Sequence, residues 1–233
     1  CTFKADLRIP HAKENAALKV ENCTFTGEAG GDYAIFVQGN MADVSISGNN
    51  ISGYQRGMNI QTAPATVSIT NNTITNLTGK AGDDGTTYGS AIQLTSAASF
   101  TVTGNTIDTK NVNALHFHSA MSADTTVTIS DNKITADYLL WNEAGLEQSK
   151  ITSADNTLTI ANPDKALTKS GAAEETTKIE GTVVGDVTVR VPSTEETTGG
   201  QANPSTGAND VVGIAVAAAV VAVLGSVTIL RKQ

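Results

Sequence analysis

Apolar residues alternate with Ser and Thr in short runs: Val44-Ser-Ile46, Val67-Ser-Ile69, Phe100-Thr-Val102 and Val127-Thr-Ile129. Strict period-two alternation predicts strands with one buried face. A second set reads Ala34-Ile-Phe-Val-Gln38, Gly57-Met-Asn-Ile-Gln61, Ala91-Ile-Gln-Leu-Thr95 and Ala114-Leu-His-Phe-His118. Its alternation turns Ile35/Val37, Met58/Ile60, Ile92/Leu94 and Leu115/Phe117 inward. A six-residue template follows each strand of the first set: Ile46-Ser-Gly-Asn-Asn-Ile51, Ile69-Thr-Asn-Asn-Thr-Ile74, Val102-Thr-Gly-Asn-Thr-Ile107 and Ile129-Ser-Asp-Asn-Lys-Ile134. An earlier copy is Val20-Glu-Asn-Cys-Thr-Phe25. The pattern is apolar, small, Gly/Asn/Asp, Asn, polar, apolar.

The fourth position falls at Cys23, Asn49, Asn72, Asn105 and Asn132, in steps of 26, 23, 33 and 27 residues. Cys1-Thr-Phe3 reads as the tail of a preceding copy, and Ser153-Ala-Asp-Asn-Thr-Leu158 as a weak last one. The chain therefore reads as the C-terminal part of something longer. A repeat of about 25 residues with two or three short strands cannot bury a core alone, so the repeats must stack along an axis. The fold class predicted is all-β: a parallel β-helix of about five to six coils over residues 1–162, with coils ~4.8 Å apart. The Asn at the fourth position is expected at a bend, in left-handed backbone, with its amide joining neighbouring coils in a ladder. Cys23 and Cys1 would continue that ladder, either as a buried thiol pair filling a small slot or, with less suitable geometry, as a disulfide.

Template and ladder resemble the right-handed parallel β-helix of the pectin-lyase-like superfamily over residues 1 to about 162. The resemblance implies the architecture and carries little about activity. Enzymes of that superfamily act on acidic polysaccharides, lyases with clustered carboxylates for Ca²⁺ and an Arg or Lys base, hydrolases with two or three neighbouring Asp. Here one outward row reads Phe36, Asn59, Gln93, His116 and Leu140, and the next Gln38, Gln61, Thr95, His118 and Asn142. Neither holds a carboxylate. Another sheet shows hydroxyl rows, Ser45, Ser68, Thr101 and Thr128 beside Ser47, Thr70, Thr103 and Ser130, with Lys19 and Glu21 at their upper end. No catalytic residue is assigned, because the paired carboxylates of glycoside chemistry are missing from these faces.

The ligand-binding candidates are Phe36, Asn59, Gln61, Gln93, His116, His118, Asp83 and Asp84. Planar amides, rimmed by Phe36 and Tyr54, suit sugar hydroxyls; the same row could be a plain solvated face. His116 and His118 share a face and could bind a metal or move a proton, with Asp108 and Asp137 at the coil edges; two exposed imidazoles are the plainer reading. The insertion at 79–89 carries Asp83, Asp84, Lys80 and Tyr88, groups that could take Ca²⁺ or a sugar. Otherwise it is a Gly-rich loop with solvated charges, and no metal or other cofactor is assigned.

Beyond Asn162 the composition turns to Thr, Glu, Gly and Ala, which predicts an extended stalk over 163–202. A strand at 182–191 could cap the solenoid or stand free in the stalk. Asn203-Pro-Ser-Thr-Gly207 then precedes 20 uncharged residues, 211–230, and the basic tail 231–233. Such a segment is long enough for a transmembrane helix, and the tail's two cations would stay on the cytoplasmic side. The order resembles the cell-wall sorting signal of Gram-positive surface proteins, with an LPXTG-like motif of Asn203, Pro204, Ser205, Thr206 and Gly207. The resemblance implies sortase cleavage between Thr206 and Gly207 and transfer to peptidoglycan. Asn203 stands where the common motif has Leu. A tail-anchored protein is the alternative.

Composition narrows the picture further. Charged residues are only 16% and aromatics 4% of 233 residues, too few charges for a bundle of amphipathic helices. The net charge of −8 removes any basic footprint for nucleic acid. Two Cys cannot build a disulfide scaffold or a Cys-based zinc site. Three functions remain: a wall-anchored surface adhesin or carbohydrate-binding module, a wall-anchored polysaccharide lyase or hydrolase with catalytic coils upstream, or a passive spacer. The partners expected are sortase, peptidoglycan, extracellular glycans and, before sorting, the membrane.

Overall fold

The computed structural model describes residues 1–28, 31–63, 65–82 and 85–183. Asp83, Asp84, most of the 182–191 strand, the 203–207 motif, the 211–230 segment and the basic tail lie outside the described residues.

The described chain is a parallel β-solenoid of about six coils. Each coil contributes one strand to each of three parallel sheets. The first sheet stacks 17–21, 43–47, Thr66–Thr70, Ser99–Thr103, Thr126–Ser130 and Ile151–Ala154. The predicted hydroxyl rows lie here in register, Ser45 beside Ser68, Thr101 and Thr128. After the template bend, the second sheet stacks short strands from Thr2–Phe3 down to Gly181–Val183. The third sheet stacks 7–10, 33–39, Arg56–Thr62, Ser90–Ser96, 113–117 and 138–142. Gln148–Lys150 is a single 3₁₀ turn, and no α-helix occurs among the described residues.

The core follows from register. Identical parity in every coil puts like above like: Phe25, Ile51, Ile74, Ile107, Ile134 and Leu158 form one buried column. Phe3 stacks on Phe25 at 4.7 Å. Ile35, Val37, Met58, Ile60, Ile92, Leu94, Leu115 and Phe117 are fully buried. Burying each such side chain stabilises the fold by roughly 2 kcal/mol.

The ladder joins the coils at one corner. The Oδ1 of Asn72 accepts from the Asn49 backbone N–H at 3.0 Å and the Asn49 side-chain amide at 2.9 Å. The Asn49 amide also donates to Val20 O at 2.8 Å. The same three bonds repeat from Asn72 to Asn105, Asn105 to Asn132 and Asn132 to Asn156. Cys23 begins the series by donating its backbone N–H to Asn49 Oδ1 at 3.0 Å. Asn156 ends it on the carbonyl of Glu180 at 3.0 Å. The weak sixth copy of the template is thus a full rung.

Three expectations change. Left-handed backbone sits one position earlier, at the third template residue: Asn22, Gly48, Asn71, Gly104, Asp131 and Asp155, with φ of 52–68°. This is why the template alternates there among Gly, Asn and Asp, the residues that tolerate this region. The ladder Asn is left free to place its amide. The cysteines follow one another at the equivalent corner, with Thr2 in register on Thr24, but not as a buried pair: Cys23 is buried, Cys1 is exposed and both are free thiols. The stalk does not begin at 163. Lys165–Thr168 and Gly171–Glu174 form an antiparallel hairpin, and Gly181–Val183 adds a strand below Asn156–Ile160. The composition shift at 163 reflects the end of the template, whereas the hairpin is held by long-range bonds that no local pattern announces.

Asn105→Ala strips the acceptor from both donors of Asn72, and each buried orphan costs on the order of 1–3 kcal/mol. A loss of about 3–5 kcal/mol is expected in urea unfolding. Thr101→Ala, on an outward row, should change stability by less than about 0.5 kcal/mol.

Candidate functional site

The outward row of the third sheet runs Phe36, Asn59, Gln93, His116 and Trp141 in register. Trp141 takes the place expected for Leu140, which instead pairs with Leu115 and is buried. The corner before residue 138 is two residues shorter than the one before 113, and Tyr138-Leu-Leu-Trp141 has no alternation to reveal the shift. A bulge between Leu94 and Ser96 likewise puts Ser96 beside Gln61 and buries Thr95. Asn142 aligns with Phe117 rather than His118.

An outward row on a solenoid face should be solvated. Here Asn59, Gln93 and His116 are 7%, 6% and 5% exposed. Tyr33 donates its hydroxyl to Gln93 Oε1 at 2.7 Å. The Gln93 amide donates to Thr95 Oγ1 at 3.2 Å, and Thr95 donates to Asn59 Oδ1 at 2.6 Å. Tyr33, Gln93, Thr95 and Asn59 thus form one hydrogen-bonded chain of four side chains. Burial pushes the Tyr33 hydroxyl up to about 12, against the opposing pull of Arg56. Arg56 lies over the Tyr33 ring at 3.8 Å and donates from Nε to Asp32 at 2.8 Å. Tyr33 and Arg56 share parity with the inward residues, so alternation assigns them to the core. As the first residues of their strands they stand at the sheet's margin.

His116 is the second element. Its Nε2 lies 3.0 Å from Glu143 Oε2, and its ring stacks on Trp141 at 4.2 Å. Burial lowers the imidazole pKa to about 4, against the raising effect of Glu143. Burial alone would raise Glu143, but the Ser119 N–H, His116 and His118 bring its net shift below the ordinary value. At neutral pH the pair is therefore a neutral imidazole donating its Nε2 proton to a carboxylate. His118, with its ring 5.6 Å from that of His116, accepts from the Ala120 N–H through Nδ1 at 3.1 Å. The expectation of two exposed imidazoles fails at His116, because a turn beyond the strand brings Glu143 back over the row.

These groups enclose a cavity of about 210 Å³, lined by Tyr33, Arg56, Asn59, Tyr88, Gly89, Gln93, His116, His118 and Lys169. Tyr88 comes from the insertion, where Lys80–Ala81 and Thr87–Tyr88 pair antiparallel. Lys169 lies at the tip of the 165–174 hairpin. That hairpin is held by Asn113, whose side chain donates to Leu167 O at 2.8 Å and accepts from Leu167 N–H at 2.9 Å.

Of the predicted ligand residues, Asn59, Gln93, His116 and His118 thus meet in one cavity. Gln61 lines a separate depression with Gln38 and His11. Phe36 packs near Tyr33 and under Arg8. Tyr54 is no rim: it is buried, with its hydroxyl on Ala5 O at 3.2 Å. Asp108 belongs to the second sheet and Asp137 accepts from the Asn111 N–H. Among the described residues no group of three His, Cys, Asp or Glu is placed to hold a metal ion. Sequence reasoning missed Arg56, Glu143, Trp141 and Lys169. Only Trp141, the sole Trp of the chain, offered a signal.

A family model described as a right handed beta helix region matches residues 10–177, which is 168 of the 233 residues. No curated protein and no solved structure matches the chain.

The buried imidazole makes stability depend on pH. The folded pKa of His116 lies below that of the free side chain, so between about pH 4 and 6.5 the unfolded chain holds the extra proton. Its contribution is complete above about 6.5 and is lost as pH falls toward 4. His116→Gln should flatten this part of the stability profile, read as the difference in urea midpoint between the two proteins. Emission of Trp141 should follow the same titration in the folded wild type.

Proposed function

The chain belongs to the right-handed β-helix family, and we propose that it is a wall-anchored surface protein whose third sheet binds an extracellular glycan. One observation carries the binding reading: an outward amide-and-imidazole row that should be wet is buried as the floor of a small polar cavity. The hydrogen-bonded chain holds Gln93 at both ends of its amide and Asn59 at its oxygen. Ordered planar amides beside an aromatic plate suit sugar hydroxyls, because little side-chain entropy is then lost on binding.

The anchoring half rests on sequence. The motif 203–207, the uncharged segment 211–230 and the basic tail occur in the order of a sorting signal. On this reading a sortase cleaves after Thr206, joins Thr206 to peptidoglycan, and leaves the apolar segment in the membrane. The β-helix then stands outside the cell.

An enzymatic reading is second, favoured by the bond between His116 and Glu143 beside another imidazole. In that pair the carboxylate fixes the tautomer of a potential proton acceptor. Against it, among the described residues the two carboxylates that touch the cavity lining are each engaged, Asp32 with Arg56 and Glu143 with His116. Neither is free for glycosidase chemistry.

Two experiments test these readings. In cells carrying a sortase, the wild-type chain should become covalently bound to peptidoglycan. Thr206→Ala should leave it in the membrane fraction, and equal wall attachment of both would defeat the anchoring reading. The full chain should be retained on at least one of a panel of plant and mucin glycans. Gln93→Ala should weaken retention at least about tenfold, the scale of one lost hydrogen bond. New chain ends released by the wild type would favour the enzyme, and absence of retention would leave a spacer.

A further inference from the structure

We propose that the cavity on the third sheet takes an uncharged sugar unit and disfavours anionic glycans. This names the ligand class for the glycan-binding reading above and rests on it.

The charges around the cavity cancel. Among the described residues its lining contains two cations, Arg56 and Lys169. Two acids touch the lining, Asp32 and Glu143. Arg56 is engaged by Asp32 and by the face of Tyr33, and its side chain is only 11% exposed. Its Nε and one Nη2 proton are taken by Asp32, so its charge is already answered. Lys169 and Glu143 act on His116 with opposite sign, and His116 is itself uncharged. The chain as a whole carries −8, so no long-range field draws in a polyanion.

The hydrogen-bond inventory points the same way. Each amide nitrogen has two protons; Gln93 uses one on Thr95, and that of Asn59 has no bonded acceptor among the described residues, so both retain an N–H. His116 donates through Nε2, which leaves Nδ1 as an acceptor with no bonded partner among the described residues. The floor therefore offers both donors and an acceptor. A hydroxyl, which donates and accepts, matches both kinds. A carboxylate or sulfate only accepts. It would meet the Nδ1 lone pair and the charge of Glu143, with Lys169 as its one unpaired cation.

The hairpin is a built part of this balance. Asn113 is fully buried and bonds both backbone groups of Leu167, as a neighbouring strand would. It thereby fixes the turn that carries Lys169 from beyond the last template copy to a cavity formed coils earlier.

The test uses the full chain at pH 8, above the ordinary imidazole range. Binding is measured to arabinan and galactan as uncharged probes, and to polygalacturonate and chondroitin sulfate as anionic ones, in about 20 mM and about 500 mM NaCl. An uncharged polymer should be retained, with affinity changing by less than about threefold between the two salts. Lys110→Met, at an exposed position outside the cavity lining, should keep that binding within about threefold. Glu143→Gln should leave the cavity net positive and create salt-sensitive retention of polygalacturonate. Retention of only the anionic polymers by the wild type, abolished by Lys169→Met and by salt, would overturn the proposal while leaving glycan binding intact. Retention of none of the four would remove this proposal together with the glycan reading beneath it.

Discussion

The ladder of Asn side chains is the constraint on which the rest depends. A solenoid corner must turn the chain without leaving backbone groups unpaired in a dry interior. From Asn72 onward each ladder Asn does this by accepting two protons from the coil above and donating one to a carbonyl there. Because the bonds run from coil to coil, they set the vertical register. Once register is set, every coil repeats its parity, and the Ile and Val columns stack without further instruction. The left-handed residue just before each rung makes the corner tight enough for the amide to reach.

That same rigidity makes a polar site affordable on the third sheet. Parallel strands in fixed register hold Asn59, Gln93 and His116 one above another. Other residues then close over them: Tyr33 and Arg56 from the sheet's margin, Tyr88 from the insertion, Glu143 from a turn and Lys169 from the hairpin. The result is a floor with few rotamers left to lose. Its electrostatics are local, with two acids set against two cations, so selectivity there falls to hydrogen-bond pattern and shape. The right-handed β-helix family includes polysaccharide lyases and glycoside hydrolases as well as adhesins, so the fold leaves function to such details of the site.

The hairpin at 165–174 shows where composition misleads. Loss of the repeat template after Asn162 looks like the end of order. Yet Asn113, 54 residues earlier, supplies a donor and an acceptor in the geometry of a strand edge, and the chain folds back onto it. The small residues here belong to a short antiparallel pair rather than a free linker.

What the sequence by itself determined is periodic. Alternation identified the strands and their inward residues, and the template spacing identified the ladder and the stack, because those contacts recur at a fixed register and leave a repeated trace. The four row residues Asn59, Gln93, His116 and Trp141 were legible only as far as parity held; a corner two residues shorter displaced the last of them. Tertiary structure alone decided that this row is buried, that His116 is paired with Glu143, and that Arg56 and Lys169 attend the cavity. Those contacts join a regular sheet to single, non-repeating turns. A contact made once, between segments far apart in the chain, has no period and so leaves no pattern to read.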